Sequence, residues 1–410
     1  MVNINVRRLT PRGFGKLSLL VTIGLAQLVV LTADDLYSVH KENQGQQEAG
    51  NITSSEAGLT LTALQNQEAT LLARILDEAM SDPQVAFRRG LDWDQDVLKG
   101  AEGTVYVPYT LRIDPDVVGS ESIIAGIRVV ERSGTVPESA TPPQTQSNAL
   151  EQDSTQGQST ASTAGLGMES PVTEPPTYAF EDFHFVTLSD MQMQDDAYQF
   201  SRAFQVPGGQ YDVYVALKDL QLVETPDELM QNLSTEVRQA VFKFAVNIPD
   251  LSNDLSTSSV FVFERLERIS TALTPAQLRE DPYAIGSMRF VVRNSENFST
   301  ADELKFGFFI YNMQVDINGK PDVTVEYNFH RQGEAGEEFF NATSPQEFNK
   351  ETVRPNFDAE QGHQLLAGQD VPLSVFPVGS YRMEIAVTDN ASGNLLTRDL
   401  HFTVGEKVES

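Results

Sequence analysis

The hydrophobic pattern is clearest from Phe376 to Val404, FPVGSYRMEIAVTDNASGNLLTRDLHFTV. Tyr381, Met383, Ile385 and Val387 fall on one side of an extended chain, and Arg382, Glu384 and Thr388 on the other. Period-two alternation predicts a strand with one buried and one wet face. Pro377 presets φ for a turn ahead of the strand, and Gly379 relaxes the backbone. Asn390 to Asn394 contains Ser-Gly-Asn, a hairpin signal. The return strand places Leu400, Phe402 and Val404 inward, with Asp399, His401 and Thr403 outward. A fainter copy runs from Pro207 to Asp219. There Pro207, Gly209, Tyr211, Val215, Ala216 and Asp219 match Pro377, Gly379, Tyr381, Ile385, Ala386 and Asp389 in type or identity. Two copies of one unit predict two related β-sandwiches.

Alternation returns at Thr104 to Ile113, where Pro108 predicts an edge strand or a bulge. Further strands are expected at 123–132, 178–188, 197–206, 210–218, 241–248, 260–269 and 288–293. Leu304 to Val315 is apolar on both faces and predicts a central strand. Asn318-Gly319 is a hairpin turn leading into Val323, Val325, Tyr327 and Phe329. A short strand is expected at 337–342, then an irregular crossing from Ser344 to Gly368. Leu64, Leu71, Leu72, Ile75, Leu76 and Ala79 have helical spacing, which predicts a helix packed on a sheet. Thr225-Pro226-Asp227-Glu228 and Thr274-Pro275-Ala276-Gln277 read as helix starts. The fold class is therefore mainly β: two immunoglobulin-like or fibronectin-like β-sandwich domains in tandem, with a few short helices.

Composition sets the boundaries. Residues 1–33 hold Arg7, Arg8, Arg12 and Lys16 ahead of an apolar run, and read as a signal peptide. The alternative is an anchor formed by residues 17–33, the one route to a membrane. Residues 34–60 are a flexible N-terminal segment. The first sandwich, with its preceding helix, spans 61–250 and the second 251–410. The first is interrupted at 134–177 by Ser, Thr, Gln, Pro, Gly and Glu, a composition expected to remain a disordered acidic linker. Export to the periplasm or beyond follows. The chain has 29 basic and 58 acidic residues, so phosphate backbones are repelled and no nucleic acid is expected as partner. With no cysteine, disulfides, Cys-ligated metals and Cys nucleophiles are excluded.

The chemistry offers little. Of five histidines, His40, His184, His330, His363 and His401, none is spaced from another as metal ligands are. His363 is the best single candidate for a functional role, and His330 and His401 belong to polar strand faces. Asp92, Asp94 and Asp96 begin like a calcium loop, but Val97 stands where Gly is needed and Gly103 where Glu should close the shell. Asp114 with Asp116, Asp250 with Asp254, and Asp316 with Asn318 are loop acids with a turn role as the simpler reading. No catalytic, metal or cofactor residue is assigned, and no cofactor is expected.

Pro321 to Tyr327, Gly362 to Leu365, Val371 to Leu373 and Phe376 to Val404 resemble uncharacterised exported bacterial proteins of acidobacterial type. That group is related to GWxTD-associated proteins, although this chain has no GWxTD motif. The resemblance implies an exported β-sandwich protein and transfers no functional residue. Pro-x-Gly-x-Tyr also resembles the tyrosine corner of immunoglobulin-like sandwiches. The expected function is a non-catalytic exported protein working through a protein or cell-envelope partner. The first alternative is a carbohydrate-binding accessory module using Tyr106, Tyr214 or Tyr311 against a polysaccharide. The second is a hydrolase with a dispersed site.

Overall fold

The computed structural model describes residues 62–81, 89–132, 178–194, 196–220, 237–271, 281–293, 295–359 and 363–406, with positions 273, 277 and 280. The signal peptide, the segment 34–60, the linker, the helix start at Thr225 and most of that at Thr274 lie outside the described residues. The chain is mainly β, as its alternation predicts, and its strands form four sheets.

Sheet I has the order β1 (Leu91–Gln95), β3 (Thr104–Ile113), β7 (Ala197–Pro207), β6 (Gln192–Gln194), with β2 (Leu98–Lys99) also on β3. Sheet II has β5 (Phe180–Thr187), β4 (Ser122–Glu131), β8 (Gly209–Asp219) and β9 (Gln239–Ile248). They enclose one apolar core, in which Trp93 stacks on Tyr109 at 4.6 Å. Helix α1 (Ala63–Ser81) lies on the other face of sheet II and buries Leu72 and Leu76 against Ile124, Tyr214 and Ala216.

The second sandwich repeats the plan. Sheet III has β10 (Ser256–Thr257), β15 (Glu303–Tyr311), β11 (Phe261–Arg268), β13 (Met288–Val292) and β12 (Ala284–Ile285), with β19 (Leu365–Pro372) also on β15. Sheet IV has β14 (Asn297–Ser299), β21 (Asn394–Gly405), β20 (Gly379–Asp389), β16 (Val323–Gly333) and β17 (Gly336–Ala342), with β18 (Gln346–Phe348) also on β16.

The internal copy is a duplication of register as well as of sequence. In sheet II, Ile123 pairs with Asp219 and Glu131 with Tyr211; in sheet IV, Val323 pairs with Asp389 and Arg331 with Tyr381. Both tyrosines donate a hydrogen bond four residues back, Tyr211 to the Pro207 carbonyl at 2.9 Å and Tyr381 to that of Pro377 at 2.5 Å. Both aspartates are buried and tie down loops. Asp219 accepts from the Gly119 and Arg238 amides, and Asp389 from the Gln314 amide and the Ser392 hydroxyl. Each central strand is thus pinned at both ends by the same residue types.

Two expectations need correction. Pro108 is on neither an edge nor a simple bulge: β3 is flanked by both β1 and β7. The missing amide of Pro108 faces the gap between β1 and β2, where its carbonyl accepts from the Asp96 amide at 2.9 Å. The crossing from Ser344 to Gly368 is not wholly irregular, because it holds β18 and the start of β19. A third expectation holds: β15 is a central strand, and it is apolar on both faces for two reasons. Phe306, Phe308 and Ile310 enter the core of the second sandwich, while Phe309 and Tyr311 join the apolar cluster of the first. The sandwiches are packed together through a buried joint rather than merely strung in series.

Candidate functional site

The local order of the sequence decides where its polar side chains go. In β1, Trp93 turns into the core, so Asp92 and Asp94 turn outward on an extended strand. Carboxylates two residues apart along a strand are separated by about 6.8 Å of backbone, too far to wrap one cation. The calcium-loop reading of Asp92, Asp94 and Asp96 therefore fails on conformation as well as on its sixth and twelfth positions. Asp250 accepts from the Ser252 amide at 2.8 Å, and Asp316 from the amides of Asn318 at 2.8 Å and Lys320 at 2.9 Å. These acids cap their own turns. Among the described residues, no three of His, Asp or Glu are placed to hold a metal ion.

The histidines also separate. His363 accepts the Asp358 amide on its Nδ1 at 2.9 Å and sets its ring edge-on to Phe357 at 5.8 Å. It fastens a loop. His184 is on the inter-sheet side of β5, with its Nε2 3.3 Å from Asp182 and its ring against Phe200. His330 lies on the outer face of sheet IV, 3.8 Å from Glu337 and edge-on to Phe339. His401 shares that outer face and is exposed.

The aromatic platform expected for a glycan does not form. Tyr214 is buried under α1 and Tyr311 in the joint. Tyr106 points its hydroxyl across the joint to the Pro282 carbonyl at 3.1 Å. All three alternate outward from their own cores, but a helix or a second sandwich covers the outward face.

Two features remain open. One is a cleft of about 550 Å³ between the sandwiches, lined by Asp92, Arg112 and Asp114 from the first and by Glu296, Asn297 and His401 from the second. Arg112 lies 3.8 Å from Asp92. The lining is mostly polar, and among the described residues no nucleophile, base and orienting group are hydrogen-bonded in series there. The other feature is β17, an edge strand paired only with β16 among the described residues. It leaves Phe339 60% exposed while Phe340 packs on Phe376 and Tyr381. Sequence reasoning had located β17 but not its edge position, which depends on the pairing partner.

Among the described residues, no helix is long and apolar enough to cross a membrane. No family model and no curated protein sequence matches the chain. Solved structures similar to it include two of the Escherichia coli α2-macroglobulin. The native conformation has 8% identity and a TM-score of 0.19, over 79% of this chain and 15% of that one. The trypsin-activated form has 9% identity and a TM-score of 0.19, over 77% and 15%. The chain thus spans about 15% of the length of these larger proteins, and the strand pairing above, not this likeness, carries the fold.

Proposed function

We propose that this is a non-catalytic exported protein that acts by binding a protein partner of the cell envelope, with β17 as the contact strand. The observation that supports the reading is an open edge strand carrying a large exposed aromatic side chain, Phe339. A free strand edge offers backbone hydrogen bonds to an extended partner segment, and an exposed ring adds an anchor. Glu337 and Glu338 on the same strand discourage unselective edge pairing.

The test is capture from solubilised cell envelope with residues 34–410 as bait, beside the same bait carrying Phe339→Asp. A protein recovered by the first and lost from the second supports the reading. Equal recovery by both moves the contact elsewhere. The second reading, binding of a polysaccharide, draws on the polar cleft alone. Retention of the chain on an envelope glycan, lost with Arg112→Ala and kept with Phe339→Asp, would favour it.

A further inference from the structure

The joint between the sandwiches contains an acid that no cation neutralises among the described residues. Asp96 follows β1 at the break before β2, and its side chain points into the joint, where Oδ2 accepts the Tyr283 hydroxyl at 2.8 Å. Around it the backbones interlock. The Val97 amide donates to the Ser259 Oγ, and the Ser259 amide to the Val97 carbonyl, both at 2.9 Å. From every element packed there, the titratable groups are engaged otherwise or are themselves acidic. Asp94 of β1 adds negative charge; Tyr106 of β3 turns to Pro282 and feels Asp281. Asp281 pairs with Arg289. Lys99 of β2 donates to the Asn312 Oδ1 at 2.5 Å, with Asp250 as its acidic neighbour. Tyr311 of β15 is buried beside Ser258.

We propose that the joint is a proton-controlled latch: with Asp96 neutral the two sandwiches stay closed on each other, and ionisation of Asp96 releases them. A carboxylate confined by apolar surface with only hydroxyl donors is poorly solvated, and separating the sandwiches returns it to water. Burial pushes the Asp96 carboxyl up to about 7, opposed by the Tyr283 and Ser259 hydrogen bonds and aided by Asp94. The sign follows. The closed form keeps its proton to higher pH than the open form, which releases it near the ordinary 3.8. The latch is therefore strongest in acid and weakens as pH rises, with the open-to-closed ratio climbing by up to about ten-fold per pH unit between those limits.

The chain has no cysteine, so a reporter pair can be added cleanly. Thr187→Cys and Thr397→Cys, both exposed and one in each sandwich, carry spin labels on the full chain, and the distance between them is measured from pH 4 to pH 9. The expected result is one short distance in acid and a growing longer population as pH rises, with far-UV circular dichroism unchanged. In Asp96→Asn, a neutral isostere that still accepts from Tyr283, the distribution is expected to be independent of pH. Tyr283→Phe is expected to raise the open share at every pH while keeping the slope. A wild-type distribution indifferent to pH, or a slope that survives in Asp96→Asn, overturns the proposal.

Discussion

Sheets II and IV have matching register and opposite outer faces. Counting from the paired ends, Ile124, Gly126, Arg128 and Val130 of β4 stand where Thr324, Glu326, Asn328 and His330 stand in β16. Likewise Asp212, Tyr214, Ala216 and Lys218 of β8 stand where Arg382, Glu384, Ala386 and Thr388 stand in β20. The first set is mostly apolar or small and α1 covers it; the second is mostly polar and meets solvent. One backbone plan thus serves as the middle layer of a stack or as its outer surface. Choosing between them takes a handful of side chains that never touch the inner core.

The two cations in the first set fasten the helix at separate points. Lys218 reaches Glu68 at 2.5 Å, and Arg128 reaches Asp77 at 2.5 Å, with Glu181 as a second partner and the Tyr178 ring 4.3 Å away. Burial alone would lower the Arg128 guanidinium, but its hydrogen bonds and charge contacts with Glu181 and Asp77 hold it above its usual range. The largest effect is expected here. Arg128→Ala removes a buried guanidinium together with its charge-assisted hydrogen bonds to Asp77 and Glu181, and should cost about 2–3 kcal/mol in urea unfolding. The amides of α1 should lose exchange protection. Asn328→Ala, at the matching position of the wet face, should change stability by less than about 0.5 kcal/mol. Equal effects would mean that α1 is not held by this pair.

Gly126 sharpens the comparison next. A Cβ there would lie 2.9 Å from Leu72 Cδ2 and 3.0 Å from the Phe183 ring, so the helix approaches as closely as it does because no side chain intervenes. Gly126→Ala should destabilise by roughly 1–3 kcal/mol through overpacking. Glu326→Ala, its counterpart, should be close to neutral.

The shared features are expected to respond alike. Tyr211→Phe and Tyr381→Phe each remove one hydroxyl hydrogen bond and should each cost about 1 kcal/mol, adding in the double variant because the corners lie in different sandwiches. Unequal costs would mean that one corner is a remnant of the repeat rather than a working clamp.

Much of this plan was legible from period-two alternation. The repeat of Pro-x-Gly-x-Tyr anticipated both corners, because a strand's inward residues and its lead-in turn are encoded locally. The short strands β2, β10, β14 and β18 were not, since pairing with a neighbour defines them and two or three residues carry no period. The candidate chemistry misled for a related reason. Alternation correctly placed Tyr106, Tyr214 and Tyr311 off their inner cores, yet at these three positions outward from the sheet means a helix or a second sandwich rather than solvent. Asp96 was grouped with Asp92 and Asp94 by spacing, whereas the break between β1 and β2 sends it alone into the joint. His363 drew attention as a lone turn histidine, and its ring nitrogen is occupied by a backbone amide.

The smallest effect provides the control for the largest. Arg382 on sheet IV also gathers carboxylates: Glu337 at 2.6 Å, Asp399 at 2.5 Å and Glu384 at 3.3 Å. Hydrogen bonds to Glu337 and Asp399 hold its guanidinium above the usual range, as those of Arg128 do. Contact geometry alone would rank the two arginines together. Their surroundings do not, since the Arg128 side chain is 4% exposed beneath α1 and that of Arg382 is 19% exposed on a face without a covering helix, although their partner carboxylates are alike, up to 55% and 49% exposed. Arg382 gives up little packing and its contacts are already open to water and salt, so Arg382→Ala should cost no more than about 1 kcal/mol, and less as salt is raised. The unfolding midpoint in urea at low and high sodium chloride, read beside Arg128→Ala, decides the matter. A loss for Arg382→Ala as large as that for Arg128→Ala, and insensitive to salt, would mean that the outer face of sheet IV is covered in solution by something that excludes water as α1 does on sheet II.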